Sequence, residues 1–100
     1  MSDDAFLSAV GLCRRAGRLA VGFDATCQAI RNGAPLVLIA SDAAQRTARN
    51  IRRECGKNTR VLDTNRTAGQ FAAIVGKEMA VGAVTDINFA RLVEKSAEKQ

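Results

Sequence analysis

The 100-residue chain has no histidine, no tryptophan and no tyrosine, and a single proline. Without histidine there is no Ser-His-Asp or Cys-His arrangement and no imidazole metal ligand, so only carboxylates, lysines and metal-bound water are left as chemical groups. Cysteine is scarce and unpatterned. Cys13, Cys27 and Cys55 are an odd number with no CxxC spacing, and they read as reduced core thiols rather than catalytic or metal-binding groups. Nucleotide-binding loops are missing too: Gly11, Gly17 and Gly22 are too far apart for GxGxxG, and Gly76-Lys77 lacks both the earlier glycine of a P-loop and the Ser or Thr that follows one. No apolar run approaches the roughly 18 residues of a membrane span. The opening Met1-Ser2-Asp3-Asp4 has neither the basic start nor the apolar stretch of a signal peptide. The expectation is a cytoplasmic protein with no membrane partner and no cofactor.

What is present has an ordinary globular balance, with 47% hydrophobic and 25% charged residues. A chain of this length makes one domain, residues 1–100, since separate cores appear only beyond roughly 250 residues. Its charge is uneven. The formal net charge is +5, yet residues 14–66 hold eleven basic and four acidic side chains, a net of +7, while residues 67–100 balance at zero. Eleven of the fifteen basic residues are arginine, whose planar fork matches phosphates and guanine edges as an ammonium cannot. A polyanion partner fits this asymmetry; a solvated basic face is the plainer account.

Helical and strand signals alternate along the chain. Phe6, Ala9, Val10 and Cys13 recur at helical spacing between Asp3 and Asp4 at the start and Arg14 and Arg15 at the end, with Gly17 as the stop. Leu19–Val21 suits a short strand, and a second helix is expected from about Asp24, as its cap, to Asn32. Leu36–Ala40 is a continuous aliphatic run that reads as a mid-sheet strand buried on both faces. Asp42 with Gln45 resembles a capping box for a third helix reaching Cys55, and Thr67 with Gln70 repeats that logic for a fourth. Arg60–Asp63 and Met79–Val84 are the remaining strands, and Asp86 can cap a final helix that buries Ala90, Val93 and Ala97. The last five residues are expected to fray. Four strands alternating with five helices imply an α/β protein, a three-layer α/β/α sandwich on a mixed four-stranded sheet. On the third helix Arg46, Arg49 and Arg53 form one stripe, either a solvated face or one that meets nucleic acid.

Three stretches carry a resemblance: Arg15-Ala16-Gly17-Arg18-Leu19-Ala20-Val21-Gly22, Ala29-Ile30-Arg31-Asn32-Gly33, and Leu36-Val37-Leu38-Ile39-Ala40-Ser41-Asp42. With Gly76-Lys77-Glu78, Ala83-Val84-Thr85-Asp86 and Phe89, the chain resembles the L-seven-Ae/L-thirty-e superfamily of kink-turn-binding ribosomal proteins, most closely its bacterial YlxQ-type members. The resemblance implies a single domain that binds structured RNA, a kink-turn or ribosomal RNA, without catalysis, with the ribosome or a translation factor as partner. It places the contact at the turn before the second helix and at a loop before the last strand. A glycine in that turn lets backbone approach RNA, and helix N-terminal amides attract phosphate.

The family's reading motif is Gly, any residue, Asn, Glu, two residues, then Lys. The matching positions are Gly22, Phe23, Asp24, Ala25, Thr26, Cys27 and Gln28, so the glycine alone is kept, and the basic residue before it is replaced by Val21. Asp24 still offers an acceptor to a guanine amino group, and Phe23 suits either stacking on an unpaired base or packing beneath the helix. In the second loop Met79 and Ala80 match the aliphatic residue set against a flipped-out base, with Lys77 as the nearby charge. Arg14, Arg18 and Arg31 are expected to contribute phosphate contacts. An alternative keeps the fold and drops the RNA: a protein-interaction module that has lost Asn, Glu and Lys. An enzyme is disfavoured, because capping accounts for Asp24, Asp42, Asp63 and Asp86.

Overall fold

Asp4 is the cap of the first helix: its Oδ1 accepts the Leu7 N–H at 3.0 Å, satisfying one of the amides a helix start leaves unpaired. The computed structural model describes residues 4–97, so Ser2 and Asp3 at the start and the last three residues lie outside it. From this cap run α1 (Ala5–Arg15), β1 (Leu19–Val21), α2 (Phe23–Arg31), β2 (Leu36–Ile39), α3 (Gln45–Glu54), β3 (Arg60–Asp63), α4 (Ala68–Val75), β4 (Val81–Val84) and α5 (Ile87–Ala97). The final strand therefore starts two residues later than Met79.

The strands form one mixed sheet in the order β1-β4-β2-β3, with β2 parallel to β3 and antiparallel to β4. All four residues of β2 and of β4 are buried, as their apolar runs require for inner strands covered on both faces. Alternate residues separate the two faces. Leu19, Leu36, Leu38 and Val84 pack with Phe6, Val10, Phe71 and Val93 of α1, α4 and α5, whereas Val37, Ile39, Val81 and Ala83 pack with Cys27, Ile30 and Ile51 of α2 and α3. The result is an α/β/α sandwich with three helices on one face and two on the other. Phe6 and Phe71 meet edge to face at 6.1 Å between centroids, a geometry worth about 0.5–1.5 kcal/mol beyond the area it buries.

Two expected caps are placed differently. Gly22, not Asp24, is the N-cap of α2, and Asp24 lies inside the first turn. Asp42 makes no box with Gln45; α3 starts from Ala44 with no side-chain cap, and the Asp42 carboxylate instead accepts the Ala68 N–H at 2.9 Å. The acceptor serves the orphan amide nearest in space, at the start of a helix 26 residues away. Thr67 and Gln70 do form their capping box, with both reciprocal bonds in place.

The sheet has two dissimilar ends. At one lie the C-terminal ends of β1, β2 and β3, the start of β4 and the N-termini of α2, α3 and α4. At the other lie the start of β1, the end of β4 and the C-termini of α1, α2 and α3.

Candidate nucleic-acid interface

Gly22 turns the chain from β1 into α2 at φ 100° and ψ 168°, in the region that side-chain-bearing residues avoid. Its N–H donates to the Val81 carbonyl at 3.0 Å and its own carbonyl accepts from Thr26 at 2.9 Å. No side chain caps α2, so its first amides have no side-chain acceptor, and a Cβ at Gly22 would meet nothing within 4 Å. These features suit a close approach by an anion.

The Gly22–Val81 bond ties this turn to the segment between α4 and β4. That segment leaves α4 through Gly76, in the left-handed conformation at φ 98°, and runs through Lys77, Glu78, Met79 and Ala80. Ala40 N–H holds the Ala80 carbonyl at 2.8 Å, which anchors the loop to β2. Lys77 and Glu78 are exposed, but Met79 is only 1% exposed and belongs to the core beside Leu38 and Phe71. Gly82 makes room for it, since a Cβ there would stand 2.6 Å from the Met79 sulfur. With Met79 turned inward, half-buried Ala80 is the apolar group this loop offers to the surface.

The structure thus brings together Gly22, Phe23, Asp24, Lys77 and the Met79–Ala80 backbone. It does not add Arg14 or Arg18 to them, whereas Arg31 lines one groove with Phe23, Asp24 and Gln28. The Arg18 carbonyl accepts from Thr85 beyond the far end of β4, Arg14 is in the last turn of α1 beside it, and Arg31 closes α2 about 12 Å along the helix from Phe23. Arg31 also pairs with Glu54 at 3.3 Å. The charged side chains of these two segments, Lys77 against Asp24 and Glu78, sum to −1.

Positive charge is concentrated instead on α3, which runs beside α2 with its N-terminus at the same end of the sheet. Arg46, Arg49 and Arg53 are exposed, and among the described residues no carboxylate pairs with them, whereas Arg52 pairs with Asp63, Arg60 with Glu94 and Arg66 with Asp4. Between the two helices is a groove of about 350 Å³ lined by Phe23, Asp24, Gln28 and Arg31 from α2 and by Asn50, Arg53 and Glu54 from α3, among others. Phe23 stands at its N-terminal end, 40% exposed, so it does not pack beneath α2. Asn50 was not legible as a site residue: its helical phase is visible in the sequence, but the pairing of α3 with α2 is not.

Burial pushes the Cys13 thiol up to about 11, and burial, then the Glu54 carboxylate, raises Cys27, so both are held as neutral thiols near pH 7. Among the described residues no three Cys, Asp or Glu side chains are grouped to hold a metal ion. No helix among them is long and apolar enough to cross a membrane.

The chain matches no protein-family model and no curated protein. It is similar to a solved structure from Bacillus halodurans described as a protein with unknown function, at 27% identity and a TM-score of 0.80 over 96% of this chain and 99% of that one. The likeness extends over nearly the full length of both, so the two share the whole arrangement of helices and sheet.

Proposed function

We propose that this protein binds structured RNA, without catalysis, as a component of the translation apparatus. The observation that carries this reading is the joining of the uncapped Gly22 turn to the loop before β4 through the Gly22–Val81 hydrogen bond, next to the unpaired arginines of α3. An anion has uncapped helix amides to meet, a short apolar loop beside them and a basic helix to draw it in. The resemblance to kink-turn-binding proteins places their RNA contact at the same two segments. Asp24, Ala25 and Gln28 stand where that family has Asn, Glu and Lys, so guanine reading is weak and most of the affinity is electrostatic. The same three replacements favour a second reading, a protein-interaction module on this fold.

A binding assay on the full chain separates them, comparing a kink-turn RNA, the same RNA with its G·A pairs replaced, and a plain duplex at two salt concentrations. The expected result is RNA binding that falls at least about tenfold from 50 to 200 mM salt, with little dependence on the G·A pairs. No binding to any of the three at low salt would leave the interaction module as the better reading.

A further inference from the structure

We infer that the groove between α2 and α3 holds one unpaired nucleotide of the bound RNA, its base against Phe23 and its flanking phosphates along Arg53, Arg49 and Arg46. This rests on the structured-RNA reading and names the part of the RNA that this face takes. Of the four phenylalanines, Phe6 and Phe71 are at most 2% exposed and Phe89 is half-buried, while Phe23 is 40% exposed. Phe23 is thus the one aromatic ring the core does not use. Every base has a π-face, so an exposed ring beside a groove of about 350 Å³ is a stacking platform for a base of any sequence.

The groove has polar groups for the edge of that base. Asp24 and Gln28 from α2 and Asn50 from α3 line it, offering a carboxylate acceptor and two amides that both donate and accept. Toward its far end Arg31 pairs with Glu54 at 3.3 Å, which offsets that carboxylate's repulsion of a phosphate and leaves Asp24 as the groove's other acidic group. Arg53 lines the wall. Arg49 and Arg46 continue from it at i−4 and i−7, up about 10 Å of helix toward the end of the sheet where Gly22 lies. A strand leaving the Gly22 turn can follow these guanidinium groups, which no carboxylate among the described residues neutralises.

The test is a fluorescence titration of the full chain with two RNA hairpins, one carrying a single bulged 2-aminopurine and one a continuous duplex. Wild type should quench the bulged 2-aminopurine and prefer the bulged hairpin. Phe23→Leu should abolish the quench and weaken the bulged hairpin at least about fivefold, leaving the duplex unchanged. Arg46→Gln, Arg49→Gln and Arg53→Gln together should weaken both RNAs at least about tenfold and lower the salt slope by about three, while Arg91→Gln with Lys95→Gln on α5 changes neither. All six positions are exposed, and a thermal melt of each variant checks the fold. If wild type binds neither hairpin, the RNA reading and this inference fall together. If it binds both but Phe23→Leu keeps the quench, or the α3 triple acts no more than the α5 pair, this inference alone falls. Polyglutamate displacing the RNA at equal charge, with no quench, would assign the stripe to an acidic protein and overturn it as well.

Discussion

Replacing Gly82 by alanine tests the packing that sets the loop before β4. Gly82 lies in β4 between Val21 of β1 and Leu38 of β2, on the face toward α1, α4 and α5. Its backbone needs no glycine conformation, so the substitution acts through space alone. A Cβ there would stand 2.6 Å from the Met79 sulfur, 3.2 Å from its methyl and 3.0 Å from the Ala20 carbonyl oxygen. Met79 is fully buried and cannot swing clear, and the Ala20 oxygen belongs to the neighbouring strand's backbone. Overpacking of this kind costs about 1–3 kcal/mol, and the stiffer unfolded chain returns about 0.5 kcal/mol. A net loss of about 0.5–2.5 kcal/mol lowers Tm by about 2–20 °C in a domain of this size. Met79→Ala alone leaves a cavity and costs about 2–5 kcal/mol. In the double variant the new methyl enters part of that cavity, so the double should be no less stable than Met79→Ala. Urea unfolding at constant m-value measures all three. A double variant whose loss equals the sum of the two singles would refute the contact.

Two further outcomes follow from the charges. The Asp4 carboxyl is held below the usual carboxylate range, first by its hydrogen bond from the Arg66 guanidinium at 2.7 Å. A depressed folded value means the contribution is complete above the unfolded pKa of about 3.9 and is lost as pH falls through the lower folded one. Asp4→Asn keeps a capping side chain and removes the charge, so its urea midpoint should fall less steeply between pH 5 and 2 than that of wild type; parallel curves would show the pair contributes nothing. Asp24, Ala25 and Gln28 are all exposed on α2, so Asp24→Asn, Ala25→Glu and Gln28→Lys together should leave the fold intact. At about 1–3 kcal/mol for each restored contact, kink-turn affinity should rise at least about a hundredfold and become G·A-dependent, and an unchanged affinity would break the link to that motif.

Local chemistry made much of this molecule legible in one dimension. The aliphatic run Leu36–Ala40 has no polar face and therefore becomes an inner strand, and the Thr67–Gln70 box closes within one turn, so both could be read directly. The turn at Gly22 was visible for the same reason. Partners distant in sequence were not. Asp42 caps α4 rather than α3 because β2 ends beside the start of that helix, and an acceptor satisfies whichever amide is nearest in space. Met79 is core rather than surface because Gly82, three residues on, leaves it a place over the sheet. The arginines divide by the same logic. Arg14 and Arg18 precede the Gly22 turn closely in sequence, yet β1 carries both to the opposite end of the sheet, while Arg31 closes α2 and lines the groove with Phe23. Arg53 is 30 residues from Phe23 in the chain and lines the same groove, because α2 and α3 cover one face of the sheet side by side. The residues specify each helix and strand through contacts a few positions apart; which surfaces meet is decided by the strand order β1-β4-β2-β3, which only the closed sheet sets.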